Sequence, residues 1–180
     1  MSNVLIGIIG VILFIGLALA GALFLGPRFQ ESTNNSKASA IAQAVSQVAS
    51  AATLSSTQNG TPVSALTTSA GELVTAGFLK SLPTNPVSGT NSMTTPAIVN
   101  FIGDNRSVST SSFYDGQPAR FVILRLGDEQ KAVCDAISRQ SGSTAIAQGL
   151  SGDGQMPQTV GCGYSDVTGG TKSYTAWARI

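Results

Sequence analysis

The sequence predicts an α+β protein in which a long N-terminal helical segment precedes a mixed head. Three observations carry that prediction. Residues 4–25 are an uncharged, mostly aliphatic run of 22 residues. Residues 36–57, SKASAIAQAVSQVASAATLSST, place apolar side chains at helical spacing. Beyond them, apolar runs of strand length alternate with two shorter helical patterns. The 180 residues leave room for one compact domain and an appended segment. The divisions read from the pattern are an apolar helix over 1–27, its amphipathic continuation over 28–57, and an α+β head over 58–180.

As a helix, Val4 to Leu25 spans about 33 Å, enough for a hydrocarbon core of about 30 Å. No charged side chain occurs between Met1 and Arg28. A cleaved secretory signal is the competing reading, and Ala18-Leu19-Ala20 fits a small-x-small cleavage site. Such signals begin with a basic n-region and use an apolar core of roughly 7 to 15 residues. Here only Met1-Ser2-Asn3 precedes a longer run, so a retained helix is expected. An anchor whose N-terminus stays in the cytoplasm usually carries Lys or Arg there. Their absence is explained if Met1 is a mature end exposed by removal of a basic leader.

Small residues are frequent within the run: Gly7, Gly10, Gly16, Ala18, Ala20, Gly21, Ala22 and Gly26. They fit a surface on which helices approach closely in lipid, and equally the ordinary glycine enrichment of membrane spans. Gly26-Pro27 is expected to kink or loosen the helix. After the polar stretch Glu31 to Asn35, Ile41, Val45, Val48 and Ala52 share one helical face, with Ser46, Gln47 and Ser50 on the other. That stripe is suited to burial against a head.

Within the head, Ser69-x-x-Glu72 is a capping-box pattern opening a short helix through Leu73, Val74, Phe78 and Leu79. Leu82-Pro83-Thr84-Asn85-Pro86 is expected to end it. Strands are predicted over 97–102, 119–126 and 173–180. The last alternates Tyr174, Ala176 and Ala178 against Thr175, Trp177 and Arg179. Between the second and third strands, Asp128 is expected to cap a helix over 129–140 that buries Ala132, Val133 and Ile137. Residues 141–161 read as a Gly/Ser-rich loop.

Several function classes have little support. A net charge of +1, with no Lys/Arg cluster, offers no footprint for nucleic acid. The absence of histidine removes His bases, Ser-His and Cys-His nucleophile pairs and His-ligated metals. The nine carboxylates are scattered, mostly beside turn glycines or at helix starts. Glu31, Glu72, Asp104, Asp115, Asp128, Glu129, Asp135, Asp153 and Asp166 form no recognisable acid/base constellation. Gly152-Asp153-Gly154 with Asp166 reads as turn chemistry rather than a calcium loop. Three sequons, at Asn34, Asn59 and Asn105, match by pattern in a chain rich in Asn, Ser and Thr. Neither catalysis nor a cofactor or metal is expected.

Two cysteines remain, Cys134 and Cys162. Behind a membrane anchor, with the head outside the cytoplasm, the pair is expected to be a disulfide. It would staple the loop between them.

A glycine-rich apolar helix running into an amphipathic Ser/Ala/Gln helix resembles the N-terminal region of type IV pilins. ELVTAGFLKSLPTNP, at Glu72 to Pro86, is similar to the segment that leads into the pilin head. FVILRLGDEQKAVCDAIS, followed by Cys162 ahead of a closing strand, resembles type IVb pilins in particular. The likeness covers nearly the whole chain in the order and spacing of its elements.

The resemblance implies a long helix packed on an antiparallel sheet, the αβ-roll, with a disulfide-bounded C-terminal region. It also implies the repeating subunit of an extracellular filament, a homo-oligomer serving adhesion, aggregation or mating contact on a bacterial surface. Subunits would wait in the inner membrane, held in lipid by the apolar helix, and be transferred by the pilus assembly machinery. The assembly core would be Met1, Leu5, Gly7, Gly10, Gly16, Gly21, Gly26 and Pro27. Pilins usually carry a glutamate near the mature N-terminus, thought to pair with a neighbour's terminal amine. Leu5 stands at the matching position, and no acidic residue precedes Glu31. A buried ammonium without a partner is costly. The amine must therefore find carbonyls, Ser2 or Asn3, sit near water, or carry a modification such as methylation. Two rival readings are a single-pass, membrane-anchored extracytoplasmic binding domain that does not polymerise, and an anchored hydrolase.

Overall fold

In the computed structural model the chain is α+β. The structure describes residues 2–60, 69–87, 89, 92–100, 120–142, 147–148, 159–166 and 171–180. Its elements are α1 (Ser2–Asn59), α2 (Ala70–Thr75), β1 (Ala97–Asn100), β2 (Arg120–Asp128), α3 (Lys131–Gln140), β3 (Ala147–Gln148), β4 (Val160–Asp166) and β5 (Lys172–Arg179). Two compact units are distinguished, Met1–Asn34 and Asn35–Ile180.

The helix is unbroken from Ser2 to Asn59, through Gly26-Pro27 and the polar stretch after it. Gly26-Pro27 thus does not interrupt the helix assignment. Proline costs about 3 kcal/mol within a helix, but helix formation is cooperative and long flanks carry a weak turn. Thr33 turns its hydroxyl back to the Phe29 carbonyl at 2.9 Å. Side-chain bonding is thus absorbed within the helix rather than breaking it.

In the second unit the amphipathic stripe is buried as its spacing predicts. Ile41, Val45, Val48 and Ala52 have no exposed surface, while Gln47 and Ser50 face solvent and Ser46 is half-buried. Burial of each of the three β-branched side chains contributes about 1.5–3 kcal/mol. Their partners lie on one face of the sheet: Val122, Leu124 and Leu126 of β2 with Tyr174, Ala176 and Ala178 of β5. Leu73 of α2 and Val133, Cys134, Ala136 and Ile137 of α3 complete the same core.

The strand order is β1-β2-β5-β4-β3. The first four are antiparallel, with Val122 opposite Ala178 and Cys162 opposite Ala176. The two-residue β3 runs parallel to β4 at the edge. A bulge interrupts the β2–β5 ladder between Arg125 and Gly127. Gly127 has φ +99° there, a conformation that needs no Cβ. Beyond β1, Asn85 ties its loop to β2. Its Nδ2 donates to the carbonyls of Met93 (2.9 Å) and Arg125 (3.2 Å), and its Oδ1 accepts from the Val87 N–H (3.0 Å).

Several sequence expectations need correction. The capping box is present, with Ser69 Oγ accepting from the Glu72 N–H and Glu72 Oε2 from the Ser69 N–H. Yet α2 ends at Thr75, well before the prolines. Gly77, at φ +81°, turns the chain, and the Phe78 N–H donates to the Leu73 carbonyl at 2.9 Å. Gly77, the residue after the Ala76 C-cap, thus places Phe78 and Leu79 in a turn packed on the core. Asp128 does not cap α3. It ends β2, and the N-cap is Gln130, which makes no side-chain capping bond. Ala132 is exposed, because the buried face of α3 runs through Val133, Cys134, Ala136, Ile137 and Ser138. Lys131 and Asp135 instead pair on its exposed side at 2.8 Å. That hydrogen bond and charge raise the Lys131 pKa above its ordinary value.

Part of the expected 141–161 loop is strand, since β4 begins at Val160. Gly161 lies opposite Trp177, and a Cβ on it would sit 2.6 Å from the indole ring. Residues 101–102 and 119 of the expected strands lie outside the described residues, as do Asp104, Asp115, Asp153 and the sequon asparagine Asn105. Cys134 and Cys162 are joined, with Cα atoms 5.4 Å apart, linking α3 to β4 within the core.

Two outcomes follow from this packing. Gly161→Ala should drive a methyl into the Trp177 ring and lower stability by about 1–3 kcal/mol, read as a fall in Tm by calorimetry. An unchanged Tm would show that the ring is not held there. Replacing both Cys134 and Cys162 by Ala opens a loop spanning a sequence separation of 28. It should cost roughly 3–4 kcal/mol in the chain-entropy estimate, read as a lower denaturation midpoint in urea.

Candidate assembly helix

Over residues 4–23 the helix of the first unit has an apolar surface on all sides. Its described large side chains run from 49% exposed at Ile9 to 76% at Leu23, with Leu5 at 64%. None of the membrane-length apolar window is buried. By length and composition α1 is the one helix among the described residues able to cross a membrane. A helix that is apolar all round must be covered by lipid or by protein.

Helical geometry sorts the expected core residues onto two faces. Gly7, Gly10, Ala18 and Gly21 fall on one side by their spacings of 3, 8 and 3 residues, together with Phe14. Leu5, Ile9 and Gly16 fall on the opposite side. A Cβ on Gly7, Gly10, Gly16 or Gly21 would meet no atom within 4 Å. Within the single chain, then, no close approach at these positions requires glycine. Gly26 and Pro27 lie within the helix, and Met1 lies outside the described residues. The first turn of α1 holds no acidic residue.

Among the described residues, no group of three or more Asp, Glu, Cys or His side chains is placed to hold a metal. Two shallow grooves flank the exposed stripe of α1 in the second unit. One, of about 550 Å³, is lined by Gln43, Gln47, Ser50 and Leu54 with Phe78 and Leu79. The other, of about 390 Å³, lies between Ser39, Gln43 and Ser46 of α1 and Ile137, Gln140 and Val160. Neither is lined by a titratable side chain. Lys172 lies 4.2 Å above the Tyr164 ring, which packs at a tilt against Tyr174. These groups can bind by shape and hydrogen bonding.

Sequence reasoning missed the first groove because Phe78 and Leu79 were assigned to a continuing helix. The glycine at position 77 was the available signal. It also missed that Gln140, the last residue of α3, bonds to α1. Its Nε2 donates to the Asn35 carbonyl and its Oε1 accepts from the Ser39 hydroxyl, each at 3.2 Å. Among the described carboxylates, Glu72 caps α2, Asp135 pairs with Lys131, and Asp166 lies opposite Lys172 in the β4–β5 ladder. No family model matches the chain, and no curated protein or solved structure matches it either.

Proposed function

We propose that this chain is a structural subunit of an extracellular filament of the type IVb pilin kind, polymerising through the apolar half of α1. The observation that carries the reading is a helix apolar on every side, with none of that surface covered, in a chain whose other unit has its own core and disulfide. Such a helix is stable in lipid and equally stable among copies of itself. Between apolar solvents the hydrophobic effect is indifferent, so packing decides which partner is preferred. Glycines cost a helix about 1 kcal/mol each relative to alanine. They are tolerated where neighbouring backbones must come close.

In this reading the subunit is held in the inner membrane until assembly machinery transfers it into the filament. The head then takes the αβ-roll arrangement on the filament surface and serves adhesion, aggregation or mating contact. With Leu5 in place of an early acid, the terminal amine pairs with carbonyls or with Ser2 or Asn3, sits near water, or carries a modification such as methylation. Function lies in the contacts between copies, with no catalytic step.

Negative-stain electron microscopy of native extracellular material tests the reading. Long filaments of uniform diameter containing this chain are expected. Dispersed particles would instead favour a membrane-anchored binding domain. Gly10→Val separates assembly from folding. The head's Tm should change little, by under about 0.5 kcal/mol of stability, because nothing surrounds Gly10 in the single chain. Filament yield should fall sharply, and normal filaments from this variant would count against packing through that face.

A further inference from the structure

The exposure of α1 changes around Asn35. Residues 28–33 are exposed, Asn34 and Asn35 are half-buried, and Ala38 is fully buried. The division between the two compact units falls at the same place. Ser32-Thr33-Asn34-Asn35-Ser36 is a run of weak helix formers, whose side chains compete for backbone hydrogen bonds. Thr33 and Ser39 do bond back, to the carbonyls of Phe29 and Asn35. The turn entering the head is therefore intrinsically poor, while the turn after it carries Ile41 at the start of the buried stripe.

Gln140 meets α1 at this junction. Its amide bridges one helical turn, donating from Nε2 to the Asn35 carbonyl and accepting at Oε1 from the Ser39 hydroxyl. Ser39 Oγ is also 3.0 Å from the Asn35 carbonyl, so its single hydroxyl hydrogen is shared between that carbonyl and Gln140 Oε1. Only a side chain with both a donor and an acceptor at its tip can make this bridge. Gln140 is itself the last residue of α3, and α3 is bonded covalently to β4 through Cys134 and Cys162. A continuous linkage thus runs from sheet to disulfide to α3 to one turn of α1.

We propose that the Gln140 side chain is a clasp that sets where local opening of α1 stops. Opening that starts in the weak turn before Asn35 must break both bonds of the clasp before it reaches Ile41. The clasp lets the N-terminal segment lose helical structure while the head's core stays closed. This device does not depend on what the apolar half of the helix packs against. Filament formation can fail while the clasp holds, and the reverse.

Hydrogen exchange read by mass spectrometry, on the full chain in detergent micelles, tests the clasp. In Gln140→Ala, amides of residues 36–43 should exchange about fivefold faster, the factor expected when net hydrogen bonding is lost at a locally opening site. Amides of β2 and β5 should be unchanged. Ser39→Ala should reproduce part of the acceleration, and Arg139→Ala, one residue away on α3, should not. Unchanged exchange over 36–43 in Gln140→Ala would overturn the proposal. So would equal acceleration in β2 and β5, which would mean that Gln140 supports the whole head rather than one boundary.

Discussion

The structure depends on the burial of a single stripe, Ile41, Val45, Val48 and Ala52, against the sheet. The stripe is narrow because the neighbouring buried positions of α1 are small: Ala38, Ala44, Ala49 and Ala51. Ala38, Ala49 and Ala51 share one buried cluster with Val122, Leu124, Ala176 and Ala178 of the sheet, filling it with small side chains. Without that stripe the head would lose one wall of its core. Earlier in the same helix the patterning vanishes and every side is apolar. One helix therefore carries two different patterns, a face buried within the chain and a cylinder that is apolar on every side and exposed.

The head buries the first of these with its own resources. β5 is the central strand, buried on both faces from Ser173 to Ala178, between β2 and β4. Trp177 lies on the face opposite the helix-packed one, over the glycine of β4 that leaves room for its ring. The disulfide joins α3 to the next strand out, so its two ends, far apart in sequence, are fixed where the sheet needs them. A small, weakly charged head of this kind presents hydroxyls and amides to water rather than a strong field. That is compatible with many copies standing side by side.

Much of this was legible in the residues, and the failures have physical causes. The α1 stripe, the alternation of β5 and the capping box at Ser69 read directly, because each is a local pattern whose period or spacing matches one structure. The disulfide was legible only through a compartment argument built on the apolar helix. The start of β4 was hidden because Gly161 closes a Gly/Ser-rich stretch that reads as loop, whereas it leaves space for a tryptophan distant in sequence. The end of α2 was misplaced because prolines at 83 and 86 outweighed a glycine at 77 that acts earlier. Ala132 was misassigned because the buried face of α3 is shifted toward the Cys134 bridge, a tertiary constraint that helical spacing cannot supply. The apolar helix was plain in the sequence, whereas what covers it is not, since none of its apolar window is buried among the described residues.

The central claim is that the apolar half of α1 is permanent material of the working protein, covered first by lipid and then by other copies. Intact-mass spectrometry of the chain from native extracellular material addresses this most directly. The account predicts a mass that includes residues 4–25, with any difference confined to the N-terminal amine. A mature chain beginning downstream of Ala20 would contradict it.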